Sequence, residues 1–245
     1  SALLNGTFVF LFTLIVPLLT MRLISEEIRQ KTDQLLLTSP LRVSSVVLGK
    51  YLAAMTVILL ALLVTVIFPV LMSFFALLGM GWWEILGGYI GFFLLSAAFV
   101  SLGLFLSSLT ENQLIAAVST LGAVIVIWIL EAITQVVPSD PISGLVFLAL
   151  LGVALVALVF FSTRNTAAAI VTFVLAAAVV VLLFVFSRSF FTGLIAKILG
   201  WFSLVKRYGD FGLGILSLSP IVYYISFSGA FVFLTIRLIE KRRWV

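Results

Sequence analysis

Hydrophobic residues are arranged along this chain in seven long runs, separated by shorter polar segments. An apolar run of about 20 residues is long enough to cross a bilayer as a helix, and a helix satisfies its own backbone groups there. The pattern therefore predicts an all-α, multi-pass membrane protein forming a single transmembrane domain over residues 1–245. The seven predicted spans are approximately Leu4–Ile24, Tyr51–Leu78 (with a kink at Pro69), Ile85–Leu106, Leu114–Val137, Leu145–Phe161, Thr166–Phe186 and Pro220–Leu238.

The polar segment Ser25–Lys50 lies between the first two runs. Ser25 is suited to cap a helix whose first turn carries two glutamates, because acidic side chains favour the positive end of the helix dipole. Glu27 and Lys31 have the i,i+4 spacing of an ion pair, and Thr38-Ser39-Pro40 ends the helix because the residue before a proline avoids the α region. We therefore expect an amphipathic helix parallel to the membrane, with a polar face available to a soluble partner.

Two later polar segments also predict structure. In residues 107–113, Thr110 and Gln113 have the spacing of a capping box, so a new helix is expected to begin there. In residues 188–219, apolar side chains of Phe190–Tyr208 fall on one helical face. This pattern predicts one amphipathic helix lying in the headgroup region on the extracytoplasmic side of the membrane. The polar side chains off its apolar face are Lys197, Ser203, Lys206 and Arg207.

Composition removes several classes of function. The chain is 64% hydrophobic and 9% charged, with a mean hydropathy of +1.37, which excludes a soluble domain. The absence of cysteine and histidine removes thiol catalysis, imidazole bases and the usual zinc sites. Gly49-Lys50 lacks the glycine-rich loop of a Walker A motif. We therefore expect no catalytic residue, metal or cofactor in this chain.

The distribution of lysine and arginine predicts the orientation in the membrane. If the Ser25–Lys50 segment is cytoplasmic, ten basic residues fall on its side and four on the other, which favours a cytoplasmic C-terminus. Because the basic residues lie mostly at membrane edges, the net charge of +5 does not indicate binding to nucleic acid. The ten are Arg22, Arg29, Lys31, Arg42, Lys50, Arg164, Arg237, Lys241, Arg242 and Arg243, and the four are Arg188, Lys197, Lys206 and Arg207.

Glu131 is the one acidic residue predicted to lie well inside a span, near its outer end. An ionisable group at that depth is a candidate intramembrane polar site. The alternative is that the carboxylate lies close enough to the interface to be solvated or paired. A self-sufficient pump or intramembrane enzyme is disfavoured, since such proteins need several buried ionisable groups.

Five stretches together resemble the permease subunits of bacterial type-2 ABC exporters, and most closely the gliding-motility-type branch. The resemblance extends over most of the chain and is densest before residue 120. The stretches are Pro17–Glu27, Lys31–Pro40, Val47–Lys50, Gly88–Gln113 and Phe233–Trp244.

This resemblance implies a plasma-membrane subunit that pairs with a second permease chain, identical or different, and sits on two ATPase subunits that bind ATP and Mg²⁺. A coupling helix is implied at about Ser25–Ser39, and a second contact at 107–113. The residues implied at the ATPase interface are Ser25, Glu26, Glu27, Arg29, Gln30, Lys31, Thr32, Asp33, Gln34, Leu35, Thr38, Ser39, Thr110, Glu111, Asn112 and Gln113.

The chain also departs from its relatives. Many have Gly-Thr-x-Glu where this chain has Lys31-Thr32-Asp33-Gln34, and the fifth and sixth spans look like an extra pair. Relatives begin with a cytoplasmic helix and a further span, whereas this sequence begins at Ser1, so we expect eight spans in the complete protein.

The implied mechanism is rigid-body transmission from the ATPases through the coupling helix, favoured by the Glu27–Lys31 pair and an unbroken helix through Arg22–Glu27. Membrane lipids are expected to surround the spans. Two other classes remain as alternatives. An ion-coupled secondary carrier would require a functional Glu131. A membrane anchor or assembly protein would bind a soluble partner through the same segment and transport nothing.

Overall fold

The computed structural model describes residues 6–32, 42–75, 81–163, 166–186 and 191–243, and every regular element within them is a helix. The helices are α1 (Gly6–Thr13), α2 (Ile15–Thr20), α3 (Ser25–Gln30), α4 (Val43–Thr65), α5 (Ile67–Phe75), α6 (Trp82–Leu109), α7 (Gln113–Val136), α8 (Pro141–Thr163), α9 (Thr166–Phe186), α10 (Leu194–Phe202), α11 (Leu204–Gly212) and α12 (Leu218–Arg243).

Five helical stretches of the described residues are long and apolar enough to cross a membrane. They are Val9–Gln30, Val43–Phe74, Trp82–Leu109, Gln113–Val136 and Leu218–Arg242, and Pro141–Ala157 is a shorter apolar stretch. The all-α prediction is thus confirmed. The predicted fifth and sixth spans coincide with the helices α8 and α9, but the count of seven spans stays a prediction.

Two prolines account for the breaks within the first two spans. Pro17 lacks the N–H that would bond to the carbonyl of Thr13, and its ring crowds that carbonyl; α1 ends at Thr13. Pro69 stands in the same relation to Thr65, where α4 ends before α5 resumes at Ile67. The interruption predicted from Pro69 therefore falls one turn before the proline.

The chain divides into two compact units. The first comprises Ser1–Ile127 and Leu204–Val245, and the second comprises Trp128–Ser203. In the second unit α8 packs along α9, and the Gly193 amide donates to the Ser139 carbonyl at 3.0 Å. Gly144 lies so close to the backbone of Phe191 that a Cβ there would come within 3.1 Å of the Phe191 carbonyl carbon.

Helix α6 is the centre of the first unit and the most buried of the candidate spans. It contacts α2, α3, α4, α11 and α12. Two glycines allow the closest approaches: a Cβ at Gly103 would lie 2.8 Å from Thr20 Cβ, and one at Gly91 would lie 2.6 Å from Phe211 Cγ. Small residues thus let neighbouring helices reach the α6 backbone, as expected of packing within membranes.

Most hydroxyls inside the spans are satisfied by their own helix. Each donates to a carbonyl three or four residues earlier, which leaves no unmet donor in an apolar environment. The residues with this pattern include Thr13, Thr20, Ser96, Ser101, Ser108, Thr120 and Thr235.

The single amphipathic helix predicted over Phe190–Tyr208 is wrong, because the described residues form two short helices, α10 and α11, broken at Ser203. Ser203 is extended rather than helical, with φ −73° and ψ 114°. Helix α11 then packs against α6, and the Leu204 carbonyl accepts a hydrogen bond from Tyr224 Oη at 2.6 Å. A location in the headgroup region stays a prediction.

Candidate functional site

The predicted coupling segment begins at a turn, Met21–Ile24, which separates α2 from α3. Ser107, near the end of α6, is fully buried and meets this turn. Its Oγ accepts from the amides of Ile24 at 3.3 Å and Ser25 at 3.1 Å, and donates to the Met21 carbonyl at 3.2 Å. One side chain therefore joins the two segments, 25–32 and 107–113, that the sequence marked as contacts for a partner.

Lys50 holds the same turn from the side of α4. Its Nζ lies 2.6 Å from Glu27 Oε1 and 2.5 Å from the Leu23 carbonyl, and its side chain is only 20% exposed. An ammonium group with two such partners forms charge-assisted hydrogen bonds, which are stronger than neutral ones. The residue therefore fixes both the turn and the first half of α3 to α4.

Apolar contacts anchor α3 beneath its polar face. Ile24 and Ile28 are buried in a cluster with Val47 of α4, Leu104 of α6 and Val232 of α12. Ile236 and Ile239 of α12 also pack against this cluster. The segment containing α3 and the last turns of α12 therefore lie at the same end of the first unit.

Helix α3 is shorter than predicted, since it ends at Gln30. Lys31 has φ 57°, a left-handed conformation. The Lys31 amide donates to the Ile28 carbonyl at 3.1 Å and the Thr32 amide to the Glu27 carbonyl at 3.0 Å, which is the Schellman pattern of helix termination. The predicted end at Thr38-Ser39-Pro40 lies outside the described residues.

The second segment carries a helix cap, two residues after the expected one. Asn112 Oδ1 accepts from the Leu114 amide at 2.9 Å, and Thr110 Oγ1 accepts from the Asn112 amide at 3.1 Å. Helix α7 begins at Gln113, so the predicted helix start is confirmed. The capping residue is Asn112 rather than Thr110, because only Asn112 stands at the position that reaches the first turn.

The predicted interface residues fall into three groups. Ser25 is buried, and Glu26, Glu27, Thr32, Thr110 and Gln113 are half-buried. The exposed ones are Arg29, Gln30, Lys31, Glu111 and Asn112. Asp33, Gln34, Leu35, Thr38 and Ser39 lie outside the described residues. The exposed residues of the predicted interface thus lie on or next to α3 and in the 110–112 turn.

Three local expectations for α3 are wrong. Ser25 is the first helical residue and makes no side-chain cap; its hydroxyl donates to the Met21 carbonyl instead. Glu27 pairs with Lys50 and not with Lys31, because the left-handed backbone at Lys31 takes that residue off the helix. The stretch Arg22–Glu27 is not one unbroken helix, since the turn lies within it.

Glu131 lies in the second unit and accepts a hydrogen bond from Ser203 Oγ at 2.5 Å. Gln135 Nε2 is 3.4 Å from its other carboxylate oxygen. The carboxylate is therefore paired, in agreement with the alternative in which Glu131 is solvated or paired rather than a functional intramembrane site. Ser203 is buried and needs a hydrogen-bond partner for its hydroxyl. Its bond to Glu131 therefore favours the position of Ser203 at the break between α10 and α11.

Sequence reasoning did not mark Ser107 or Lys50 as site residues. Lys50 contributed to the charge distribution, the Walker A comparison and the resemblance of Val47–Lys50, but no contact was predicted for it. A lysine at the end of a polar segment that begins with two glutamates was a usable signal. Ser107 carried no such signal, because its three partners lie 82 to 86 residues earlier in the chain.

A chain whose described residues form only helices, five of them long and apolar enough to cross a membrane, defines a multi-pass membrane protein. Residues 5–138, more than half of the chain, match the family described as ABC-2 family transporter protein. The chain belongs to this family and is a membrane permease of an ABC transporter. Membership implies association with an ABC ATPase partner. Comparison with curated proteins and with solved structures gave no match.

Proposed function

We propose that this chain is the permease subunit of an ATP-driven exporter of the gliding-motility type, in which α3 is the coupling helix. ATP and Mg²⁺ bind to separate ATPase subunits, and this chain converts their motion into movement of its spans. The observation that carries the proposal is the anchored, outward-facing polar surface of α3 beside the 110–112 turn, within the part of the chain that matches the family.

The chemistry of this surface suits a protein partner. Arg29, Gln30 and Lys31 are exposed donors, Glu111 is an exposed acceptor, and Glu26 orients Gln30 through a 3.1 Å hydrogen bond. A mixed polar surface on a firmly anchored helix loses little conformational entropy when a partner docks. Such a surface would transmit force because its apolar side is buried against three longer helices.

The arrangement in the membrane is part of the same proposal. The α3 end of the molecule faces the bacterial cytoplasm, in agreement with the ten-to-four distribution of basic residues. The C-terminal turns of α12 lie at that end and are therefore cytoplasmic too. A second permease chain, identical or different, completes the membrane assembly and gives each of two ATPase subunits one coupling helix.

The mechanism follows from the geometry of α3. When ATP draws the two ATPase subunits together, each carries its docked coupling helix with it. Because α3 is packed against α4, α6 and α12, its displacement moves the cytoplasmic ends of these helices. Interfaces of this kind respond by discrete shifts rather than by continuous deformation. The spans then open a path toward the outside.

Co-purification tests this proposal. The protein is solubilised from its native membrane in mild detergent, and accompanying proteins are identified by mass spectrometry. Charge reversal at the surface, in the double variant Arg29→Glu/Lys31→Glu, should lower the recovery of the ATPase at least about tenfold, equivalent to about 1.4 kcal/mol. The matched control is Lys197→Glu, which reverses an exposed charge in the second unit and should leave recovery unchanged.

The other outcomes identify the competing functions. If no ATPase accompanies the wild-type protein, the permease proposal fails and an ion-coupled carrier becomes the better explanation. If an ATPase is bound but its rate of hydrolysis is the same with and without this chain, the protein is an anchor. Equal loss of the ATPase in both charge-reversal variants would show that α3 is not the docking element.

A further inference from the structure

We propose that α3 moves as one block with α4 and α6 and independently of α2, and that Lys50 and Ser107 are the positioning residues that lock this block. The functional meaning of this lock rests on the proposed function, because the lock determines which spans receive the motion of the coupling helix. The lock itself is a property of this chain alone. It can therefore be tested without any ATPase.

The turn between α2 and α3 is the first step in the reasoning. An unbroken helix would satisfy its backbone groups internally, but here α2 ends at Thr20 and α3 starts at Ser25. The amides of Ile24 and Ser25 bond to Ser107, and the carbonyl of Leu23 bonds to Lys50. A buried backbone group left without such a partner is destabilising, because it has lost its hydrogen bonds to water. The direction of α3 is therefore set by residues of α6 and α4.

The second step is that Lys50 joins α3 at two points. Its Nζ contacts the Leu23 carbonyl before α3 and the Glu27 carboxylate in the first turn of α3. Two contacts a helical turn apart resist rotation of α3 as well as translation. The side chain is mostly buried, so the interaction is less screened by solvent than a surface ion pair.

The third step concerns the connections between the longer helices. Tyr51, next to Lys50 in α4, donates from its hydroxyl to the Ala97 carbonyl of α6 at 3.3 Å. By contrast, α2 meets α6 at Gly103, where Thr20 turns its hydroxyl back to the Val16 carbonyl of its own helix. The contact of α2 with α6 at that point therefore depends on shape and can slide. Directional bonds begin at Met21, just after α2, whose carbonyl accepts from the Ser107 and Ser25 hydroxyls, so the turn belongs to the block of α3, α4 and α6.

The experiment measures two distances by pulsed electron spin resonance. Because the chain contains no cysteine, pairs of introduced cysteines can be spin-labelled without background. One pair, Gln30→Cys/Ser45→Cys, reports the distance from α3 to α4. The other, Gln30→Cys/Leu18→Cys, reports the distance from α3 to α2. All three positions are exposed.

The first arm uses the permease alone. Lys50→Met and Ser107→Ala should each broaden the distribution of the 30–45 distance or shift it by at least about 2 Å, the size of helix shifts at switching interfaces. Lys50→Arg keeps the positive charge and the hydrogen-bond donors, so its distribution of the 30–45 distance should match that of the wild type. The matched control is Thr56→Ala in α4, whose hydroxyl bonds to its own helix. Unchanged distributions in both Lys50→Met and Ser107→Ala would overturn the lock.

The second arm uses the complex with its ATPase, after the labelled protein has been shown to co-purify with it. On trapping with ATP and vanadate, the 30–45 distance should stay constant while the 30–18 distance changes by at least about 2 Å. A change in the 30–45 distance, or a constant 30–18 distance, would overturn the proposal. Absence of an ATPase from the unlabelled wild-type protein would instead count against the proposed function, and the first arm would still decide on the lock.

Discussion

Alanine at position 103 should weaken the packing of α2 against α6. The added Cβ would lie 2.8 Å from Thr20 Cβ and 2.9 Å from Thr20 Cγ2, whereas carbon atoms in favourable contact are about 3.5–4.0 Å apart. The two helices must therefore separate by several tenths of an ångström or more. Overpacking of this kind costs about 1–3 kcal/mol, which corresponds to a fall in melting temperature of about 2–12 °C for a chain of this size.

The assay is the recovery of a single size-exclusion peak after heating the detergent-solubilised protein. Gly122→Ala is the matched control, because a Cβ there would meet nothing within 4 Å; its melting temperature should stay within about 2 °C of wild type. Adding Thr20→Ala to Gly103→Ala removes the Cγ2 and Oγ1 contacts and should recover part of the loss. The packing explanation is refuted if Gly103→Ala and Gly122→Ala have the same melting temperature. It is also refuted if adding Thr20→Ala does not raise the melting temperature of Gly103→Ala.

Three further predictions concern other parts of the chain. Asn112→Ala removes the cap of α7 and should lower thermal stability by about 1 kcal/mol, while Asn112→Asp should keep it. Tyr208→Phe should leave stability unchanged or raise it at neutral pH, because the buried Tyr208 hydroxyl has no hydrogen-bond partner among the described residues. Glu131→Gln should leave the ATPase rate of the complex within about twofold of wild type, because Gln still accepts a hydrogen bond from Ser203.

The Tyr208 variant also has a defined pH dependence. Burial, with a smaller contribution from nearby Tyr89, raises the pKa of Tyr208 from 10.0 to about 12. The folded state therefore favours the neutral phenol, and this preference is lost as the pH rises from 10 through 12. Wild type should lose stability more steeply than Tyr208→Phe over this range, measured by the same heating assay. Parallel pH curves would contradict the burial of the hydroxyl.

The outcomes for the other two variants are equally definite. If Asn112→Ala is as stable as Asn112→Asp, the 2.9 Å contact with the Leu114 amide contributes nothing to the start of α7. If Glu131→Gln abolishes transport while no ATPase is required, the chain is an ion-coupled carrier. Measuring transport in vesicles with and without nucleotide separates this result from simple loss of folding.

Features that depend on neighbouring residues could be predicted from the sequence. A proline removes a hydrogen bond to the residue four positions earlier, so Pro69 predicted an interruption that occurs at Val66. The polar stretch before Leu114 predicted a helix start that occurs at Gln113. In both cases the chemistry that sets the structure lies within one turn of helix.

Features that depend on distant residues could not be predicted in the same way. Glu27 had a suitable partner four residues away in Lys31, yet it pairs with Lys50. That choice depends on a left-handed residue at the end of α3 and on packing against α4. The amphipathic pattern of Phe190–Tyr208 was real, but Glu131 and Ser203, 72 residues apart, meet at the position where it breaks.

The self-bonded hydroxyls of the spans have a consequence for biogenesis. A threonine or serine that donates to a carbonyl of its own helix needs no partner on a neighbouring helix. These hydroxyls therefore do not delay the entry of a newly synthesised span from the translocon into lipid. Ser107 differs, since its hydroxyl partners belong to residues 21–25, which the ribosome has already delivered when α6 emerges.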